Sequence, residues 1–130
     1  MYEYKSKIDR HFAENWTETP VELDGIHFDV PVDKRWISVK FVPYARDEKT
    51  FGAGVIKERG LLKVFAYDTS ATLAYVLAKK VLDFYDEYKL ENCVADVGYP
   101  DGQGVEPLHD GIFETLVLFD LTLYETRCSN

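Results

Sequence analysis

An α+β fold is predicted for residues 1–130, in a single domain: a mixed or antiparallel β-sheet with two helices packed on one face. Three observations predict it. The stretch from Asp68 to Tyr88 carries apolar residues at Ala74, Leu77, Val81, Phe84 and Tyr88, one stripe on a helix without an internal Gly or Pro. Alternating apolar runs, the pattern of half-buried strands, lie on both sides of it. A shorter helical pattern precedes them all.

That first helix runs from Tyr2 to about Asn15, with Tyr4, Ile8 and Phe12 spaced four apart. Thr17-Glu18-Thr19-Pro20 ends it, because the residue before a proline is pushed out of the helical region. Val21 and Leu23 alternate with Glu22 and Asp24, and Gly25 turns the chain. Residues 24–35 are expected to be irregular, since Pro31 is excluded from a central strand. Trp36 to Val42 is a strand, with Ile37, Val39 and Phe41 on one side and Trp36, Ser38 and Lys40 on the other. Pro43 to Thr50 is expected as a charged, exposed loop. Phe51 to Lys57 and Leu61 to Tyr67 are expected as a strand pair, turning at Glu58, Arg59 and Gly60. Asp68, Thr69 or Ser70 can cap the long helix. A strand from Glu91 to Tyr99, a Gly- and Pro-containing loop over 100–111 and a long alternating run from Ile112 to Tyr124 complete the chain.

The totals narrow the function classes. A chain of 130 residues buries roughly two-thirds of its unfolded surface. A hydrophobic share of 46% and an aromatic share of 15% argue against disorder. The net charge of -8 argues against an independent nucleic-acid binder, which gains affinity by releasing counterions from phosphate. The same acidity suits a surface that DNA passes without sticking. No run approaches a membrane span, the N-terminus lacks a signal-like apolar core, and the cytoplasm is the default compartment. Cys93 and Cys128 make neither a disulfide framework nor a Cys-x-x-Cys motif.

If Ile37, Val39, Phe41, Leu62, Val64, Val117, Phe119 and Leu121 lie under the helices, the other sheet face is not cleanly polar. It carries Trp36, Lys40, Lys63, Phe65, Tyr67, Leu116, Leu118 and Tyr124. Either these residues contact another subunit, or loops fold back over them. Catalytic and metal sites are not expected. His11, His27 and His109 lie in separate segments without ligand spacing. Gly52-x-Gly54 and Gly102-x-Gly104 lack the strand-to-helix context of a phosphate loop and are read as turns.

His11 to Trp16 (HFAENW), Thr19 to Val21 (TPV), the strand WISVKF, Phe51-Gly-x-Gly54 and RGLLKVFAY (Arg59 to Tyr67) occur in that order. The long helix, a glycine-containing loop and a final strand near Tyr124 follow. In this ordered set, covering nearly the whole chain, the sequence resembles the tail terminator (tail-completion) proteins of long, non-contractile-tailed bacteriophages. It departs where relatives often have Pro or Gly before the helix and this chain has Asp68-Thr69-Ser70.

The resemblance implies a structural protein of the virion tail, made in the cytoplasm of the host bacterium, without cofactor or enzymatic chemistry. It implies a homo-hexameric ring that caps the tail tube, ends its polymerisation and presents a surface for head joining. Its partners are then copies of itself, the tail-tube protein and a head-connector or neck protein, while DNA passes without specific binding and no membrane is involved. In that setting the outer-face residues are candidates for subunit contact. Arg46, Asp47, Glu48 and Lys49, with Asp101, Gln103 and Glu106 in the later loop, are candidates for docking to neighbouring rings. Asp83, Asp86 and Glu87 oppose the helix dipole and are candidates for lining a channel that repels phosphate, or simply a solvated face. A different neck or tube ring protein is an alternative. A small-molecule-binding domain is another, requiring polar groups converging in an apolar pocket.

Overall fold

The chain runs α1 (Tyr2–Asn15), β1 (Val21–Leu23), β2 (Trp36–Lys49), β3 (Val55–Asp68), α2 (Ala71–Glu87), β4 (Cys93–Asp96), β5 (Glu106–Pro107) and β6 (Phe113–Thr126), with a 3-10 turn at His109–Gly111. The computed structural model describes residues 2–49, 55–87, 93–96 and 106–126, with side-chain environments for 8–44, 59–85 and 107–121. Tyr88, Glu91, the Phe51–Gly54 motif, Asp101 and Gln103 fall outside the described residues.

One six-stranded sheet has the order β1-β2-β3-β6-β4, with β5 also paired to β6. β1 is parallel to β2, and the other pairings are antiparallel. β3 and β4 both oppose β6, so α2 connects two strands of like direction and β6 fills the space between them. The α+β fold expected from the sequence is therefore the fold observed.

Ser70 caps α2: its Oγ accepts the Leu73 N–H at 3.1 Å. Asp68 does a different job at the strand end. Its carboxylate accepts the Thr69 N–H at 2.7 Å and the Arg35 Nε–H at 3.2 Å, and its side chain is only 6% exposed. An ion pair this sheltered ties the end of β3 to the segment entering β2, and losing one partner would strand the other charge. The buried stripe of α2 comprises Ala74, Leu77, Ala78, Val81, Phe84 and Tyr85. Helix α1 adds Ile8 and Phe12, and Trp16, one position past its end, continues their four-residue spacing, its N–H donating to the Phe12 carbonyl at 3.0 Å. The Phe84 ring joins the helices, 5.0 Å from Phe12 and 5.3 Å from Trp16, while Tyr85 lies 4.8 Å from Phe119 on the sheet. Ile37, Val39, Phe41, Leu62, Val64, Val117, Phe119 and Leu121 are all buried beneath.

Two expectations between residues 43 and 67 are overturned. Glu58-Arg59-Gly60 is not a turn: β3 is continuous from Val55 to Asp68, and Gly60 pairs with Pro43 on one side and Leu121 on the other. Gly60 serves packing. A Cβ there would lie 2.6 Å from Phe41 Cε1 and 3.0 Å from the Val42 carbonyl oxygen, so the Phe41 ring occupies the space of the missing side chain. Likewise Arg46, Asp47, Glu48 and Lys49 are not in a loop but continue β2. The backbone register sets Arg46 opposite Glu58 and Asp47 opposite Lys57. Pro43 is accommodated because the register shifts between Pro43 and Ala45, leaving Tyr44 as the extra residue of an irregularity. Glu106 also leaves its expected loop, pairing with Glu114 through β5.

At 14 residues each, β2, β3 and β6 reach about 46 Å at roughly 3.3 Å per residue. The 17-residue α2 spans about 25 Å. The three central strands thus extend well past the helix that covers them. Gly60→Ala should destabilise the fold by about 1–3 kcal/mol, because the Phe41 ring must move, and the urea midpoint would report it. Thr115 sits fully buried with its hydroxyl unpartnered among the described residues. Thr115→Val should therefore keep or raise stability, by up to about 1 kcal/mol in the same titration.

Candidate interaction surfaces

Strand alternation builds the face away from the helices in rows. Across β2, β3 and β6 these are Trp36/Tyr67/Glu114, Ser38/Phe65/Leu116, Lys40/Lys63/Leu118 and Val42/Leu61/Asp120. At the first row the chain covers itself. Phe28, from the irregular segment, lies 6.1 Å from Trp36, which stacks on Tyr67 at 4.3 Å and donates its Nε1–H to Glu22 at 3.3 Å. Trp36 is only 6% exposed, so at this position the alternative in which a loop folds back over the face is the one observed. Burial raises the Tyr67 hydroxyl pKa well above its ordinary value, and the Glu114 carboxylate beside it raises it further. Lys34 fastens the covering segment, donating from Nζ to the Asp110 carbonyl at 2.6 Å; both residues have positive φ.

Further along, the face is open. Leu61, Phe65, Leu116 and Leu118 are partly exposed. Among them Lys40 and Lys63 stand directly opposite each other, a repulsive arrangement, and no carboxylate pairs with either among the described residues. At its far end Tyr44 donates its hydroxyl to Asp120 at 2.7 Å, and Arg59 approaches Asp120 at 3.8 Å while lying over the Tyr44 ring. The Asp120 hydrogen bond raises the Tyr44 pKa. The Tyr124 side chain lies outside the described environments.

A second surface was not singled out from the sequence. Leu73, Tyr75 and Val76 are 47%, 42% and 42% exposed on the outward side of α2. The available signal was Leu73-Ala74-Tyr75-Val76-Leu77-Ala78, apolar all the way round the helix, which marks a second covered face. Lys79 lies over the Tyr75 ring at 5.2 Å, and Lys80 pairs with Glu18 at 3.2 Å. Asp83 is exposed and lines a cleft of about 270 Å³ with Asn15, Trp16, Glu18, Lys80 and Phe84. Asp86 and Glu87 sit in the last turn of α2, which has no basic residue; their side chains are outside the described environments.

The structure therefore brings Lys40, Lys63, Phe65, Leu116 and Leu118 together on one open patch. It places Asp83 on the opposite layer, and Arg46 to Lys49 on the extended part of β2. Among the described residues no group of three or more His, Cys, Asp or Glu could hold a metal ion, and no helix is long and apolar enough to cross a membrane. Compared with known protein families the sequence matches no family model, and compared with curated proteins it finds no match.

Tyr67 carries a pH signature. Its folded pKa is raised, so the native state holds the proton more tightly and stability falls as pH rises through the ordinary value of 10.0 and beyond. Urea midpoints measured at increasing pH should decline above about pH 10, and Tyr67→Phe should flatten part of that decline.

Proposed function

We propose that the chain is a structural assembly protein that closes into a ring on the end of a phage tail tube, stops its growth and presents a surface to the head. The observation that carries this reading is the open sheet face, where partly exposed Phe65, Leu116 and Leu118 surround an unneutralised lysine pair. Exposed apolar patches with unpaired charge gain by contact with another protein surface, and copies of the same chain are the simplest source. The tail-terminator resemblance of the ordered motifs points the same way. Net acidity suits a ring through which DNA moves, and the strands extending beyond α2 supply reach toward a neighbouring ring. A neck or tube ring of similar build is the second reading, favoured by the same open face.

In this reading the protein acts by shape and contact, without a cofactor, and works in the virion tail beside the tube and head-connector proteins. Absolute mass by light scattering, over a range of concentration and salt, should give a closed species of about six subunits. Phe65→Ala should shift that species toward monomer, and its unfolding free energy, measured alongside, should show a cost of about 1–3 kcal/mol that leaves the chain folded. If the chain stays monomeric, addition to purified tail tubes decides: the absence of both binding to tube ends and any effect on tail length would sink the proposal.

A further inference from the structure

The open sheet face and the outward face of α2 lie on opposite layers of one chain, so neither can cover the other within a subunit. Their unpaired groups are complementary. On the sheet face the charges without a partner are Lys40 and Lys63, set beside Phe65, Leu116 and Leu118. On α2, Lys80 is paired with Glu18, while Lys79 lies over the Tyr75 ring and keeps its charge. The outward carboxylate left without a partner among the described residues is Asp83, about 10 Å along the axis from Val76. The three open rows, from Ser38 to Val42, cover about 13 Å along the strands, a length that α2, at about 25 Å, can span.

We infer that α2 of one copy lies across the open sheet face of the next. Val76, with Leu73 and Tyr75 beside it, rests on Phe65 and the β6 leucines, and Asp83 reaches the lysine pair. The contact uses two different patches, so it is heterologous, leaving each dimer with one free face of each kind for further copies. An isologous pairing of two sheet faces would instead bring four lysines together, which like-charge repulsion disfavours. The inference rests on the assembly reading and names the surfaces that reading requires.

The test uses full-length chains in sedimentation velocity. Val76→Glu damages the helix patch at an exposed position. Lys63→Glu damages the sheet patch while giving Lys40 an opposite-charge neighbour, so both variants should fold. Each should weaken assembly by about tenfold or more. Mixed together, the variants should form a 1:1 dimer and nothing larger, since each retains the patch the other lacks. Lys63→Glu combined with Asp83→Lys should recover assembly. Two variants that each assemble like the parent, or a double variant no better than Lys63→Glu, would overturn the contact and leave a ring built through other surfaces standing. A parent chain monomeric at all concentrations would also overturn it, whereas the ring reading would then be judged on tube ends.

Discussion

Burial of the α2 stripe against β3 and β6 is the contact on which the remainder depends. Leu77, Val81, Val64 and Val117 are entirely withdrawn from water, and each such side chain contributes on the order of 1.5–3 kcal/mol. The chain meets this contact only by a crossover: α2 must leave the end of β3, run back over the sheet and deliver β4 beyond β6. The Asp68 carboxylate and the Ser70 cap hold that exit, supplying acceptors to the backbone where strand ladder gives way to helix. Helix α1 then closes the remaining gap through Phe12 and Trp16 against Phe84.

Because all this packing lies on one side, the sheet has a face that its own helices cannot reach. The chain treats the two ends of that face differently. Near the start of β2 it uses Phe28 to shelter Trp36 and the Lys34–Asp110 link to hold the segment in place. Further along it leaves hydrophobic side chains partly in water around two opposed lysines. A sheet face meant for solvent would carry polar residues at those positions. The same imbalance appears on α2, whose outward side mixes Leu73, Tyr75 and Val76 with charge. The proposed head-to-tail contact would use these two surfaces, which lie on opposite layers because the core is one-sided.

The long central strands bear on the same point. A hairpin that outruns its covering helix lacks a helix's apolar support along its outer part, and cross-strand pairs must hold it there. The backbone register there sets Arg46 opposite Glu58 and Asp47 opposite Lys57.

The sequence by itself determined the α+β class, both helices and the inward parity of the sheet, because periodicity of 3.6 or 2 is a local property of the chain. It also marked the outer face as too apolar for solvent, down to Phe65, Leu116 and Leu118. Tertiary structure alone decided the rest. Glu58-Arg59-Gly60 has turn composition, yet it lies mid-strand because Phe41 fills the glycine's space and β2 and β6 pair with its backbone on either side. Arg46 to Lys49 resemble an exposed loop until the register shows what stands across from them. Trp36 carries a surface parity but is covered by Phe28, which is eight positions earlier in a segment with no regular structure. The juxtaposition of Lys40 with Lys63, and the solvent exposure of Val76, likewise depend on which strands and helices meet, and that information is non-local.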